Sequence, residues 1–238
     1  MKIGIVAAMQ EEMDKFLTLM NDYEELSLGT FKYYSGTLHG VNIIVSLCGI
    51  GKVNAAVGTS LLIEKYKPDY IINTGVAGGF DSDKLRVGDI VVSSEVRHHD
   101  VDTTIFNYEY GQVPGMPSAF YPDEKLKETL CGATITDKDI KIFEGQILSG
   151  DSFIHTEEQV KRIRELFPSV MAVEMEGASI AQSCFIFKVP FVIIRSISDL
   201  VDAEESHEVY NQSMEETAGN SVSLVLNLLE VIGKSLEN

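Results

Sequence analysis

The feature that most constrains this chain is a regular alternation of short apolar runs with amphipathic stretches. Lys2–Ala8 (KIGIVAA) reads as a strand, and Gln10–Met20 follows as a helix with Met13, Phe16, Leu17 and Met20 on one face. Phe31–Leu38 and Val41–Leu47 read as two strands joined at His39-Gly40, a hairpin signal. Lys52–Tyr66 is a helix stopped by Pro68, and Tyr70–Asn73 is a short strand that runs into a glycine-rich turn, Thr74–Gly79. Asp89–Ser93, Ile142–Ser149, Ser169–Val173 and Phe191–Ile197 read as further strands, with Glu157–Phe167 and Glu176–Phe187 as helices between them. A last helix carries Val222, Val225, Leu226, Leu229 and Ile232 at helical spacing. Strands this apolar need cover on both sides. The pattern predicts an α/β fold: a single domain over residues 1–238, with a mixed, mostly parallel central sheet and helices on both faces. Between Asp100 and Pro122 the pattern breaks into a long ordered loop with Gly, Pro, Phe and Tyr, a kind of segment that is usually functional or interfacial.

Charge and composition narrow the function. The formal net charge is −17, and only five arginines are present. That balance argues against nucleic acid and against an anionic membrane surface, since both need a cationic footprint. No apolar run reaches the roughly 18 residues of a transmembrane helix. Cys48, Cys131 and Cys184 are widely spaced and form no CxxC pair, so neither a disulfide framework nor a zinc ribbon is expected. Three reduced thiols and an N-terminus without a secretory signal predict a cytoplasmic protein.

Ligands of open α/β sheets bind at the carboxyl ends of strands. The residues that follow the strands here are informative. Met9, Gln10, Glu11 and Glu12 follow the first; Gly150 to Ile154 follow Ile142–Ser149; Glu174, Met175 and Glu176 follow Ser169–Val173; Ser198 and Asp199 follow Phe191–Ile197. Three ends deliver carboxylates and one an aromatic, Phe153. Each carboxylate alone could be a helix-terminal charge; together they predict an acidic site with a stacking surface. Arg195, inside an apolar strand, needs a carboxylate partner, and Glu176 is the expected one. Other motifs are weak. Gly49-Ile50-Gly51-Lys52 lacks the glycine and hydroxyl of a phosphate loop, having Ser46 and Val53 there. Gly75-Val76-Ala77-Gly78-Gly79 is not a dinucleotide fingerprint, although its glycines permit close approach by a ligand. His98, His99, Asp100 and Asp102 have no supporting His or Cys cluster, so no metal is expected. His155 reads as a surface or capping residue.

The blocks Lys2-Ile3-Gly4-Ile5, Ala8-Met9-Gln10-Glu11-Glu12, Gly49-Ile50-Gly51-Lys52-Val53, Asn73 to Gly79, Ser149-Gly150-Asp151-Ser152-Phe153-Ile154, Val173-Glu174-Met175-Glu176-Gly177-Ala178 and Arg195-Ser196-Ile197-Ser198-Asp199 occur in order over nearly the whole chain. This pattern resembles the bacterial 5′-methylthioadenosine/S-adenosylhomocysteine nucleosidases of the nucleoside phosphorylase superfamily. The resemblance implies hydrolysis of the N-glycosidic bond of 5′-thio adenosines to adenine and a thioribose, a step of nucleoside catabolism and methionine salvage, without a cofactor or metal. It implies Asp199 as the acid at adenine N7, Glu12 as the group that activates water, and Glu176 on the ribose hydroxyls with Arg195 as support. Met175 would lie under the ribose, Met9 near water and sugar, Phe153 on the adenine face and Ile154 at its hydrogen-bonding edge. Ile50, Val76, Ala77, Gly78, Glu174 and Ser198 complete the implied binding set. The resemblance further implies a homodimer in which the 100–122 loop, with Phe106, Tyr108 and Pro114, closes the neighbour's pocket; the alternative is a loop packed on its own subunit. Tyr210 falls about where the family carries an aromatic lid.

One departure concerns Val76, where many of these proteins have a serine that bonds the carboxylate acting on the base. Asp199 must then be oriented by a backbone amide, by Ser198 or by water, and 5′-deoxyadenosine and aminofutalosine stand as further candidate substrates. The rival readings are a nucleoside phosphorylase, a futalosine hydrolase and a non-catalytic nucleoside sensor. A phosphorylase needs a cationic or amide-lined oxyanion site, and a sensor needs neither acid nor water-activating carboxylate.

Overall fold

The computed structural model describes residues 1–20, 22–81, 83–133, 139–201 and 206–236, with backbone alone over 206–216. In chain order the strands are β1 Lys2–Ala7, β2 Tyr23–Leu28, β3 Phe31–Leu38, β4 Val41–Leu47, β5 Tyr70–Asn73, β6 Val76–Gly79, β7 Ile90–His98, β8 Ile142–Ser149, β9 Val170–Glu174 and β10 Phe191–Leu200. The helices are α1 Gln10–Leu19, α2 Lys52–Tyr66, α3 Glu124–Cys131, α4 Glu157–Leu166, α5 Gly177–Phe187 and α6 Ser206–Leu236.

All ten strands join one sheet in the order β2-β3-β4-β1-β5-β10-β6-β9-β8-β7. β1 lies between two parallel neighbours, β4 and β5, and β2-β3-β4 is an antiparallel meander at one edge. Six of the ten pairings are parallel, so the sheet is mixed and mostly parallel, as expected. β10 organises the other half. Its first residues pair with β5, its middle runs antiparallel to β7, and its end pairs with β6. The β10–β7 contact closes β7-β8-β9-β6-β10 into a small barrel. β10 is buried along nearly its whole length, which explains its apolar sequence and makes Arg195 and Asp199 stand out within it.

Helices cover both faces. Ile3, Ile5, Met13, Phe16, Val222 and Leu229 form a core between β1, α1 and α6. Val6, Leu62, Ile71, Ile180, Cys184 and Ile193 form a second under α2 and α5. Two helices start as their sequences require. Asp123 accepts the Leu126 amide at 3.0 Å ahead of α3, and Thr156 with Gln159 makes a reciprocal cap ahead of α4.

Several elements depart from the sequence reading. The glycine-rich stretch after Asn73 is not only a turn: Val76–Gly79 is strand β6. Its small residues fit a crowded barrel, since a β-carbon on Gly78 would lie 2.9 Å from Val201. β2 was not expected, because YEELSL is a mostly exposed edge strand without apolar alternation. The short helix α3 was not expected either. β7 runs on past Ser93 to His98 across a register shift at Ser93/Glu95. The 100–122 loop carries one 3₁₀ turn at Thr104–Phe106 and is tied down: Gly111 donates to Val101 O at 2.8 Å, and Arg97 reaches Glu109 at 2.9 Å.

Gly111 sits at φ +86°, and a β-carbon there would overlap the His98 carbonyl oxygen. Gly111→Ala is therefore expected to lower the unfolding free energy by about 2 kcal/mol, from left-handed strain plus the clash. Urea denaturation measures this; an unchanged midpoint would show that the loop is not anchored there.

Candidate functional site

The carboxyl ends of β1, β5, β8, β9 and β10 face one cleft of about 680 Å³, including its open mouth. Met9, Glu12, Ile50, Val76, Ala77 and Gly78 line it from one side. Phe153, Ile154, Glu174, Met175, Glu176, Arg195, Ser198 and Asp199 line the rest. The fold thus brings together fourteen residues expected at a site from the strand ends and the resemblance.

Glu12 is the third residue of α1, yet it is not a solvated helix-end charge. It is 1% exposed, and its Oε2 turns back to accept the amides of Ala8 at 2.9 Å and Met9 at 3.2 Å. Burial pushes its carboxyl up to about 7, against the pull of Arg195 and of those amides. The approach is close: a β-carbon on Gly75 would lie 2.9 Å from Glu12 Oε1 and 3.4 Å from Arg195 Nη1. Only glycine lets these two groups stand side by side.

The partner of Arg195 is Glu174, not Glu176 as expected. The Nη2–Oε2 distance is 2.5 Å, and both side chains are nearly inaccessible. Chain direction explains the correction. β9 ends at Glu174, which keeps its side chain on the strand's pocket end, whereas Glu176 stands two residues on, at the start of α5, and bonds Gly51 instead. The same Nη2 also donates to Asn73 Oδ1 at 2.6 Å, and Nη1 donates to Ile194 O at 2.9 Å. Glu174 also accepts the amides of Glu176 and Gly177 and the Ser149 hydroxyl. Burial alone would raise its carboxyl, but Arg195, Ser149 and these amides outweigh that and hold it below its ordinary value.

Glu176, released from Arg195, accepts the Gly51 amide at 2.8 Å. Burial and the neighbouring Glu174 carboxylate push it up to about 7. Asp199, 2% exposed, sits beside a register shift in β10 opposite Gly78 and accepts the Ser198 hydroxyl at 2.8 Å. Of the routes open in the absence of a hydroxyl on Val76, the Ser198 one is therefore realised. Phe153 stands at the mouth and Ile154 is buried behind it.

Other expectations fall elsewhere. Phe106 is 70% exposed, and neither it nor Tyr108 or Pro114 lines this cleft. The side chain of Tyr210 lies outside the described residues. His98 Nε2 is 2.9 Å from Gln182 Oε1, Asp100 pairs with Lys52, and Asp102 binds Thr104. Among the described residues no three His, Cys, Asp or Glu side chains are grouped to hold a metal. His155 is exposed and follows the Phe153-Ile154 loop. Sequence reasoning gave no role to Asn73 and Ser149, whose buried polar groups anchor Arg195 and Glu174. Their signal was a polar residue closing an apolar strand.

A family model for the phosphorylase superfamily matches residues 2–230. A 5′-methylthioadenosine/S-adenosylhomocysteine nucleosidase of Desulfotalea psychrophila is 53% identical over 236 residues, covering 99% of this chain and 100% of the relative. The crystal structure of such a nucleosidase from Neisseria meningitidis in complex with methylthio-immucillin-A superposes with a TM-score of 0.93 at 41% identity, over 97% of this chain and 99% of that one. One from Colwellia psychrerythraea 34H in complex with adenine gives 0.93 at 45% identity, over 96% and 94% of the two chains.

The buried charges set opposite stability trends. Glu174→Gln leaves Arg195 without its counter-charge and is expected to cost roughly 3–5 kcal/mol of stability. Because the Glu174 carboxyl is held down in the fold, the pair's contribution is present above about 4.5 and lost as pH falls through its folded value. Glu12 has the reverse sign. With a folded value near 7 against an ordinary 4.5, its favourable contribution is complete below 4.5 and disappears as pH rises through 7. Glu12→Gln should thus gain on the wild type by about 2 kcal/mol between pH 5 and pH 8. Chemical denaturation at both pH values measures it; a difference independent of pH would contradict the burial of that charge.

Proposed function

The chain belongs to the phosphorylase superfamily and, within it, to the 5′-methylthioadenosine/S-adenosylhomocysteine nucleosidases, and on that premise we propose that its cleft hydrolyses the N-glycosidic bond of those two nucleosides. The observation that carries the reading is the convergence of Asp199, Glu12 and Glu176 in one buried cleft with Phe153 at its mouth.

In this reading Asp199 gives a proton to N7 of adenine, so the base leaves neutral rather than as an anion. The C1′–N9 bond breaks and the sugar acquires oxocarbenium character, which nearby carboxylates favour. A water attacks C1′ and passes its proton to Glu12, whose raised carboxyl value suits proton uptake near neutrality. Glu176 holds the ribose hydroxyls, with Arg195 acting indirectly through Glu174. Met175 supports the ribose, Met9 borders the water, and Ile154 reads the base edge while Phe153 stacks on it. Ser198 orients the acid. Residues 1–238 act as one domain, a reading supported by the one continuous sheet.

The working form is a homodimer. Val53, Val57, Phe185 and Ile186 are exposed on α2 and α5, and Ile105 and Phe106 on the loop. An apolar surface of this kind favours a partner. A second copy seated there would offer Phe106, Tyr108 and Pro114 to its neighbour's cleft, which opens past the exposed Ile50. No described helix is long and apolar enough to cross a membrane. The thiols of Cys48, Cys131 and Cys184 are free, which supports a cytoplasmic setting; the relatives' substrates support a role in methionine salvage.

Chromatographic detection of adenine from a panel of 5′-modified adenosines, with and without phosphate, tests the activity. Release in phosphate-free buffer is expected; a strict phosphate requirement would establish a phosphorylase. Asp199→Asn should keep nucleoside binding and lower kcat by about 100-fold or more; a near-wild-type rate removes the acid assignment. Phe106→Ala, or dilution to monomer, should raise KM for 5′-thio substrates several-fold more than for adenosine, as loss of an apolar 5′ contact implies. Equal effects on both would place the loop outside the neighbour's pocket.

A further inference from the structure

The segment Gly49-Ile50-Gly51-Lys52 resembles part of a phosphate loop but departs from it at Ser46 and Val53. The structure gives it another task. Gly51 donates to Glu176 on the sugar side of the cleft. The next amide, of Lys52, donates at 2.7 Å to Asp151 Oδ1 in the turn that leads into Phe153 and Ile154. α2 has no acidic residue in its own first turn, so Asp151 supplies its terminal acceptor from another part of the chain. Asp100, where the 100–122 loop begins, closes the triangle. Its Oδ1 takes the Lys52 ammonium at 2.6 Å and its Oδ2 takes the Asp151 amide at 3.0 Å.

The triangle has little slack. The Lys52 and Asp100 side chains are only 20% and 29% exposed. Gly51 sits at φ +95°, and a β-carbon there would lie 3.1 Å from Asp151 Oδ1. On the other side of Asp151, a β-carbon on Gly150 would overlap the His99 ring. None of Lys52, Asp100 and Asp151 lines the cleft, and Glu12 and Asp199 are bonded to none of them in the contacts described above.

We infer that Lys52, Asp100 and Asp151 form a positioning bracket that fixes the spacing between the base-gripping loop and the sugar-gripping Glu176, and so sets affinity for the nucleoside without touching it. The inference deepens the nucleosidase reading and rests on it for its substrate. A bracket of this kind acts on bound substrate and transition state alike, so its loss raises KM and leaves kcat in place.

The test compares the wild type with Lys52→Met, Asp100→Asn, the double variant and Lys52→Arg. Two readouts are used: steady-state adenine release from 5′-methylthioadenosine, and calorimetric binding of an uncleavable 9-deazaadenosine bearing a 5′-methylthio group. Lys52→Met and Asp100→Asn should each raise KM and the analogue's Kd roughly tenfold, as loss of one charge-assisted hydrogen bond implies, with kcat within about threefold. The double variant should be no worse than the weaker-binding single variant, because both break the same contact. Lys52→Arg should recover most of the affinity. Unchanged KM and Kd, additive losses, or a lowered melting temperature without an affinity change would each overturn the bracket. Asp100→Asn keeps an acceptor for the Asp151 amide, so it decides the matter if Lys52→Met does not fold. A wild type that binds the analogue but releases no adenine would overturn the nucleosidase reading instead, and the Kd comparison would still judge the bracket.

Discussion

Four carboxylates and one guanidinium share the walls of a buried cleft, and that imbalance shapes everything around it. A carboxylate removed from water must be paired, hydrogen-bonded or protonated. Glu174 takes the first route and makes the ion pair with Arg195. Glu12 and Glu176 accept backbone amides and feel Arg195 only at a distance, and burial lifts both carboxyls to about 7. The cleft is therefore poised to hold protons near neutral pH, and it gains most from a ligand that brings positive charge. A sugar cation is such a ligand, but only at the moment its bond to the base breaks. In the proposed reading, the electrostatic strain of these crowded carboxylates becomes selective stabilisation of a transition state.

Holding that imbalance requires the strands to end where they do. Arg195 ties the ends of β5, β9 and β10 together through Asn73 and Glu174, and Gly75 leaves the space in which Glu12 stands beside it. The barrel closure through β10 is what places Arg195 and Asp199 of the same strand in one cleft. The register shift beside Asp199 brings it opposite Gly78, where no side chain competes for the space. Val76 has no hydroxyl to donate to Asp199, and the adjacent Ser198 on the same strand donates instead.

Much of this was legible in the sequence, and for identifiable reasons. Strands such as Phe31–Leu38, Val41–Leu47 and Tyr70–Asn73 came out at their observed bounds because apolar composition and turn residues agree there. The cleft was legible because carboxylates at strand ends have few other places to go. What failed were features that depend on partners distant in sequence. β2 is held by β3 rather than by its own pattern, and β6 by a barrel whose crowding selects glycine. The choice between Glu174 and Glu176 for Arg195 turned on where β9 stops and α5 starts, a boundary of one or two residues. Spacing alone cannot resolve a boundary that fine.

The same geometry decides between water and phosphate as the nucleophile. A helix N-terminus next to the sugar would be a natural seat for a phosphate dianion, since its free amides and dipole favour an anion. Here α1 opens beside the cleft, but the amides of Ala8 and Met9 that lead into it already donate to Glu12. A phosphate would have to displace a carboxylate that belongs to the chain. Arg195 offers no help, because Glu174, Asn73 and the Ile194 carbonyl engage its two terminal nitrogens, and no other Arg or Lys is among the described residues lining the cleft. A neutral water meets neither obstacle, and in the proposed mechanism it finds in Glu12 an acceptor for its proton. On that reading the chain fills the anion seat with its own carboxylate, which disfavours the phosphorolytic nucleophile and keeps a base for the hydrolytic one.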